Sequence, residues 1–195
     1  MDADGNGNLA PYSYFNALSH DPPMLAVSCC RKPGGVFKDS YRNIAATGEL
    51  VINIISEWFI EAANHTCGAF PPEVNEMKLA GLAPRPSREV RPPGVAESAV
   101  SMECKVRHTH DIKNAAGEVT ATVVIAEVVL FHVVEGVLLP AGGGEGRPTV
   151  DLTRYQPMCR LGGNTYGRVT SIFDLPRPDR PSGGRGMDRS SGNAG

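Results

Sequence analysis

A long alternation of apolar and polar residues in the second half of the chain sets the strongest limit on the fold. Between Val100 and His108, apolar positions alternate with Ser, Glu, Lys and Arg, a period of two that is typical of a half-buried antiparallel strand. Residues 114–117 carry a turn pattern, and residues 118–134 return as a run rich in Val, Thr and Ile, which predicts a second strand. Because this run far exceeds the usual ~5–6 residues, we expect a bend or bulge in it.

A second unit, residues 21–55, predicts a strand, a loop, a helix and another strand. An apolar run at residues 24–28 follows a rigid Asp21-Pro22-Pro23 corner, and a second apolar run at residues 50–55 closes the unit. Between them, the helical spacing of apolar residues at 41–45 predicts a short helix. Gly48 suits the left-handed position that ends a helix.

Two more short helices are predicted at residues 57–64 and 73–80, and a short strand at residues 137–139. Residues 8–16 are predicted as a strand that runs into a loop, and residues 84–97, with four prolines, as an extended surface connection. Short antiparallel strands with few short helices predict a mainly β protein, built as a closed or nearly closed barrel with helices at its ends.

The start of the helix near residue 39 holds the cluster with the clearest chemistry. Asp39 or Ser40 can cap the helix, because a short side-chain oxygen satisfies free N–H groups of the first turn. The remaining N–H groups and the helix dipole favour an anion. Lys38 adds a cation and Ser40 or Asn43 a neutral donor, so the cluster suits a phosphate. From these residues alone, a helix capped by Asp39 beside a solvated Lys38 is the more common arrangement.

Four short motifs extend this interpretation. Residues 8–16 read NLAPYSYFN, the Asp21-Pro22-Pro23 corner follows, and Lys38-Asp39-Ser40 stands three residues before Asn43. Near the end of the chain, residues 160–166 read RLGGNTY. In order and spacing, these motifs resemble the flavin-reductase-like family of the FMN-binding split barrels, in its flavoredoxin-like branch. The resemblance covers most of residues 4–167.

The resemblance implies an FMN-binding split β-barrel, antiparallel and Greek-key-like, with short helices. It also implies a homodimer with FMN at the interface of the two subunits. Lys38, the backbone of Asp39, Ser40 and Asn43 would hold the flavin phosphate, and Ser40 stands where the family usually has Thr. Asn8, Ser13 and Ser28 would meet the ribityl chain or ring edge, and Tyr166 would lie near the isoalloxazine. The implied cofactor-binding residues are Asn8, Ala10, Ser13, Asn16, Ser28, Lys38, Asp39, Ser40, Asn43 and Tyr166.

The function implied by the resemblance is that of an FMN-dependent oxidoreductase of the NAD(P)H:flavin reductase type. NADH or NADPH would donate hydride, and electrons would pass through FMN to a small-molecule substrate or acceptor. No side chain needs to act as acid or base. Two alternatives remain open: a flavin-binding electron carrier without its own NAD(P)H turnover, and a barrel that has lost flavin and performs non-redox chemistry on a small natural product.

The first residues raise a question about the barrel. Asp4-Gly5 and Asn6-Gly7 are strong hairpin-turn signals, yet almost no chain precedes them, and the family has a strand there. Either the sequence begins late, which we favour, or the protein lacks the first family strand and leaves an edge that proteins usually cover. Flavin affinity depends on the answer, because a barrel short of one strand holds its pocket less well.

Length and composition predict one domain over residues 1–175, followed by a disordered tail at residues 176–195 that is rich in Pro, Gly, Ser and Arg. A net charge of −2 with mixed signs gives no reason to expect a nucleic-acid partner. No apolar run approaches the ~18 residues of a membrane span. The glycine-rich residues 141–148 form a flexible loop and lack the spacing of a dinucleotide-binding motif.

The five cysteines are odd in number and include no CxxC pair. Without a signal peptide, this favours free thiols in a reducing compartment, so we expect a cytoplasmic protein. Cys29 and Cys30 are adjacent, which makes any disulfide between them strained, and core packing is the favoured interpretation. His65 and Cys67 lie two residues apart with no third orienting group, which argues against a nucleophile and base.

Three histidines, His108, His110 and His132, fall on the predicted long hairpin and could meet. No carboxylate or cysteine stands at a matching spacing, so ordinary strand histidines are favoured and no metal site is predicted. Trp58, the single tryptophan, is expected in the core or at a dimer contact.

Overall fold

The computed structural model describes residues 1–139, 148–173 and 175. Four short α-helices lie in this part of the chain: α1 (Asp39–Thr47), α2 (Ile60–His65), α3 (Glu76–Leu79) and α4 (Leu152–Tyr155). The strands are β1 (Phe15–His20), β2 (Pro23–Cys30), β3 (Glu49–Asn53), β4 (Pro84–Arg85), β5 (Gly94–Val95), β6 (Val100–Lys113), β7 (Val119–Val133), β8 (Met158–Gly162) and β9 (Thr165–Arg168).

The central element is an antiparallel sheet of five strands in the order β1-β2-β7-β6-β3. Two small two-stranded sheets, β4-β5 and β8-β9, accompany it. The long β6–β7 pair confirms the alternation at residues 100–108 and the return strand. The expected bulges are present, because the β6–β7 register shifts in three places, one of them between Glu103 and Cys104. The fold is therefore mainly β and antiparallel, as predicted.

The main core lies on one face of this sheet. Leu25, Val27 and Cys29 of β2 alternate inward, and Val124 of β7 lies opposite Val27. Helix α1 covers part of the face through Ile44. Alternation along each strand brings these side chains to one side, and their burial supplies most of the stabilisation of the sheet.

The opposite face of β6 is also covered, which the sequence pattern did not predict. Ser101 and Glu103 occupy polar positions of the alternation, yet both are fully buried. The connection at residues 84–97 crosses this face, and its backbone donates to side chains of the sheet: Arg91 N to Glu49 Oε2 and Val95 N to Asn53 Oδ1. Sheet side chains thereby anchor a segment that had been predicted only as a surface connection.

Several predicted elements differ from those observed. Residues 8–12 belong to no strand and residues 13–14 form a bend, so the strand begins only at Phe15, which pairs with Val27 of β2. Residues 57–59 form a 3₁₀ turn before α2, and helix α3 is shorter than predicted, with Asn75 capping Lys78 N. Residues 135–137 are a 3₁₀ turn, and the predicted strand at 137–139 is reduced to a single antiparallel bridge between Leu138 and Val150.

Other predictions lie outside what the structure describes. The glycine-rich loop predicted at residues 141–148 lies outside the described residues except for Pro148, and the tail predicted at residues 176–195 lies outside them entirely. At the N-terminus, residues 3–4 form a turn in which Asp2 Oδ1 accepts the N–H groups of Asp4 and Asn6. None of the described helices has the length and apolar character needed to cross a bilayer.

Candidate functional site

A groove of about 860 Å³ runs between α1, the N-terminal segment (residues 7–13), β3, α2 and the β8–β9 hairpin. Its volume lies in the range that small-molecule and cofactor sites occupy. Apolar side chains such as Val27, Leu50 and Phe59 form much of its wall. Six of the predicted cofactor-binding residues line it: Asn8, Ala10, Ser13, Ser40, Asn43 and Tyr166.

The start of α1 is open toward polar ligands, although its cap differs from the prediction. The N-cap residue is Lys38, and it makes no side-chain cap hydrogen bond. Asp39 is the first helical residue, and its carboxylate is engaged by Lys32 at 2.9 Å and Arg42 at 2.7 Å. The N–H groups of the first turn therefore keep their affinity for an anion.

The Asp39 carboxylate stays ionised in this setting. Partial burial opposes its charge, but the hydrogen bond from Lys32 and the charges of Lys32 and Arg42 together lower the pKa of Asp39. Lys32 and Arg42 form ion pairs with this carboxylate. The Asp39 carboxylate therefore does not neutralise the charge of Lys38. Among the described residues, no carboxylate lies within ion-pairing distance of Lys38 Nζ, which lies 5.6 Å from the centre of the Tyr12 ring.

Tyr12 contributes a polar group that has no hydrogen-bond partner among the described residues. It lines the groove, and its hydroxyl oxygen is buried near Ser40 and Cys29 without a hydrogen bond of normal geometry. Burial raises the pKa of the Tyr12 hydroxyl, so the group is a neutral donor. A buried donor without a partner is costly, and a ligand acceptor in the groove would satisfy it.

A chain of three side chains joins the N-terminal segment to α1 and α3. Ser40 Oγ donates to Asn8 Oδ1 at 2.6 Å, and Asn8 Nδ2 donates to Glu76 Oε1 at 3.0 Å. Glu76 also accepts the N–H of Leu9 at 2.9 Å. Glu76 is buried and was not singled out in the sequence, where it read only as a polar residue of a short helix.

Arg31 is a second residue that the sequence did not single out. Its side chain is 6% exposed, and its guanidinium lies 4.0 Å from the Phe37 ring centre and 5.0 Å from that of Tyr41. One of its nitrogens donates to Thr122 Oγ1 at 2.6 Å. This stacking fixes the chain just before α1 and the first turn of the helix against β7.

Four predicted residues do not line the groove: Lys38 and Asp39 at the start of α1, and Asn16 and Ser28 on two strands. Asn16 lies on β1 next to Phe15, which lines the groove, and Ser28 lies on β2 next to Cys29, which also does. Because successive strand side chains point to opposite faces, Asn16 and Ser28 face away from it. Any contact of these two with flavin stays a prediction.

Tyr166 reaches the far end of the groove from β9. Its hydroxyl donates to Asn64 Oδ1 at 2.8 Å and accepts from Arg160 Nη1 at 2.8 Å. A further nitrogen of Arg160 donates to the carbonyl of Gly163. The β8–β9 hairpin thus holds its aromatic ring against α2.

The remaining cysteines and histidines take ordinary structural positions. All five cysteines are free, and Cys29 and Cys104 are buried in the core. His132 hydrogen-bonds to Glu103. In the described part of the chain, no three metal-ligating side chains cluster. Trp58 is 49% exposed and its indole donates to the Glu97 carbonyl at 2.8 Å, so it does not lie in the core, and the other expected position, a dimer contact, stays a prediction.

Comparison with known proteins gives the family. The family model of the flavin reductase like domain matches residues 2–147. The chain belongs to this family. It is 37% identical over 171 residues to an uncharacterized protein of Halalkalibacterium halodurans, covering 88% of this chain and 78% of the relative.

Solved structures agree with this assignment. Nitrilotriacetate monooxygenase component B from Bacillus cereus is 34% identical, with a TM-score of 0.78 over 86% of this chain and 79% of that one. A Shewanella frigidimarina protein with a split barrel domain has a TM-score of 0.76 at 23% identity, over 91% of this chain and 82% of that one. The predicted split-barrel fold is thereby confirmed, and the family supports a flavin-related oxidoreductase activity.

The residues present fit a flavin. A phosphate suits the uncapped first turn of α1 beside the unpaired Lys38. The part of the chain that the structure describes offers the buried hydroxyl of Tyr12 no acceptor. Asn43 and Ser13 are among the polar groups of a wall with a large apolar part, the composition expected of a cofactor site.

Proposed function

We propose that this flavin reductase-like protein is an FMN-dependent oxidoreductase that takes electrons from NADH or NADPH and passes them to a small-molecule acceptor. The observation that carries the proposal is the start of α1, where Lys38 and the free N–H groups of the first turn stand beside a groove of cofactor size that Asn43 lines. FMN ends in a single phosphate, which matches one helix start with one unpaired cation.

Each residue has a defined task in this proposal. Lys38 and the first-turn N–H groups bind the phosphate, and Asn43, on the same helix, donates to it or to the ribityl chain. Ser13 and the hydroxyl of Tyr12 bind polar atoms along the groove. Tyr166, held by Arg160 and Asn64, packs beside the ring at the far end.

Bound FMN would supply the redox chemistry, by accepting hydride from the nicotinamide and passing electrons on. The protein's own part is to bind, to orient and to exclude water. Neither a catalytic triad nor a pair of carboxylates is required for these tasks. This agrees with the groove, whose polar residues are mainly amides and hydroxyls.

We also propose that the protein is a homodimer. Tyr14 and Leu18 of the β1 region are 70% and 53% exposed, and Trp58 is 49% exposed, so apolar surface lies next to the groove residues on both sides. Covering such surface is favourable. Five free cysteines suit a reducing compartment, which supports a cytoplasmic location.

The proposal is tested with purified protein in two steps. A visible absorption band near ~450 nm, or quenching of FMN fluorescence on titration, reports flavin binding. Steady oxidation of NADH or NADPH that requires both FMN and the native protein then supports the reductase. FMN binding without nicotinamide oxidation would instead indicate an electron carrier, and failure to bind FMN at any concentration would overturn both. A parallel titration with FAD tests the choice of flavin.

A further inference from the structure

The buried carboxylate of Glu76 fixes the orientation of the Asn8 amide. Glu76 is 8% exposed and accepts the backbone N–H of Leu9 on one oxygen. A backbone N–H can only donate, and a carboxylate accepts on both oxygens. The other oxygen therefore takes a donor from Asn8, which must be its NH₂ group, at 3.0 Å.

This orientation decides what Ser40 can offer a ligand. With its NH₂ group on Glu76, Asn8 presents its oxygen to Ser40, and Ser40 Oγ lies 2.6 Å away. A serine hydroxyl carries one proton, which this hydrogen bond uses. Toward the groove, Ser40 then offers lone pairs, which suit a ligand hydroxyl but not a phosphate, since a phosphate dianion only accepts.

We propose that Glu76 is a specificity-determining residue that, through Asn8, turns the Ser40 proton away from the flavin phosphate. To bind the phosphate, Ser40 must turn its proton to it, which leaves the oxygens of Asn8 and Ser40 facing each other without a proton. Glu76 thus weakens the binding of a phosphorylated flavin relative to a phosphate-free one. This inference rests on the proposed function, because it concerns the same phosphate position.

The substitution Glu76→Gln keeps the size of the side chain and reverses the direction of the hydrogen bonds that join residues 76, 8 and 40. Leu9 N–H still needs an acceptor, so the new amide oxygen faces Leu9 and the new NH₂ group faces Asn8. The Asn8 amide turns over and donates to Ser40, whose proton becomes free for a phosphate. The ratio of FMN affinity to riboflavin affinity is expected to rise about tenfold.

The experiment is a double-mutant cycle of Glu76→Gln and Ser40→Ala, read by fluorescence titration with FMN and with riboflavin. In the Ser40→Ala background, Glu76→Gln is expected to leave the FMN-to-riboflavin ratio unchanged, because no proton is left to redirect. A loss of negative charge alone would raise the ratio equally in both backgrounds and would overturn the proposal. An unchanged ratio for Glu76→Gln in the native background would overturn it too.

A second variant covers the case in which Glu76→Gln fails to fold, as judged by its thermal melting curve. Asn8→Ala removes the acceptor of the Ser40 proton and is expected to raise the same ratio; a ratio that stays the same or falls would contradict the inference. If the unmodified protein binds riboflavin and FMN normally while the variants fail the cycle, only this inference is lost. If it binds neither flavin, the proposed function fails as well.

Discussion

His132 Nε2 lies 2.5 Å from Glu103 Oε1, and this contact joins β7 to a carboxylate that is fully buried on β6. The same carboxylate accepts the N–H groups of three consecutive residues, 88–90, at 2.6–3.1 Å. One buried charge therefore holds the 84–97 connection against the outer face of the sheet. Because the acceptor is charged and has several donors, its removal is expected to be far more damaging than the loss of a surface pair.

Glu103→Gln is predicted to lower the free energy of unfolding by about 3 kcal/mol, because an amide places a donor against backbone donors. Urea denaturation measures the change. The matched control is Glu127→Gln, which breaks the more exposed pair with Arg107 and should lower the free energy of unfolding by less than about 1 kcal/mol. Equal losses for the two variants would show that Glu103 does not anchor the connection.

The Glu103 interaction also predicts a pH dependence. Burial opposes the charge, but the hydrogen bonds from His132 and from the N–H groups of residues 88 and 89 lower the pKa of Glu103. A carboxyl whose pKa is lower in the folded state stabilises the protein above its unfolded-state pKa, about 4.3 for Glu, and loses that contribution as the pH falls through the folded value.

The measurement compares native protein and Glu103→Gln in urea at about pH 7, 5 and 3.5. The difference in unfolding free energy should be large at the two higher values and smaller at the lowest. A difference that stays constant or grows at the lowest pH would contradict the assigned role.

Gly48 ends α1 in the left-handed conformation, with φ of 69°, and its N–H donates to the Ile44 carbonyl at 2.8 Å. Nothing lies within 4 Å of a Cβ placed there, so the backbone angle alone opposes a side chain. Gly48→Ala should lower the free energy of unfolding by about 1–2 kcal/mol. Gly136→Ala is the control, since Gly136 has only Val134 near and no positive φ; an equal loss there would contradict the strain argument.

The thiols should react in the order of their exposure. Cys67 and Cys159 are exposed, whereas Cys29 and Cys104 are fully buried. Burial also raises the pKa of Cys104 to about 12, which suppresses its thiolate. In native protein, a thiol reagent should label Cys67 and Cys159 first, and Cys29 and Cys104 only after denaturant is added. Mass spectrometry that found Cys29 labelled first, or a Cys29–Cys30 disulfide, would reject core packing for this residue.

Local patterns predicted the elements of the fold well. The alternation at residues 100–108 depends only on strand geometry, so it predicted β6, and Gly48 predicted the end of α1 because few other residues adopt its conformation. The covering of a strand face by a segment distant in sequence was not predictable. Glu103 read as a solvent-facing residue, and only the distant 84–97 connection makes it buried.

In the candidate site, too, local motifs were predictable and long-range contacts were not. The resemblance to the family assigned Asn8, Ser40 and Asn43 to one cofactor site from the sequence alone. It could not reveal Glu76, whose contact with Asn8 spans 68 positions of sequence. Asp39 or Ser40 was expected to cap the helix, but Lys32 and Arg42 bind the Asp39 carboxylate and Asn8 accepts the Ser40 hydroxyl. Cap propensity alone does not account for such competing partners.

The central claim is that Lys38 binds the phosphate of a flavin at the start of α1. Lys38→Ala should weaken FMN binding by about 1.5–3 kcal/mol, roughly tenfold to a hundredfold in Kd, because a charge-assisted contact is lost. Riboflavin, which has no phosphate, should bind Lys38→Ala as it binds the native protein. Lys113→Ala, at an exposed position on the β6–β7 hairpin, is the control and should change neither affinity.

Fluorescence titration of FMN and riboflavin into native protein, Lys38→Ala and Lys113→Ala is therefore the most direct test. The account predicts a selective loss of FMN affinity in Lys38→Ala. An unchanged FMN affinity in that variant, or an equal loss for both flavins, would contradict it.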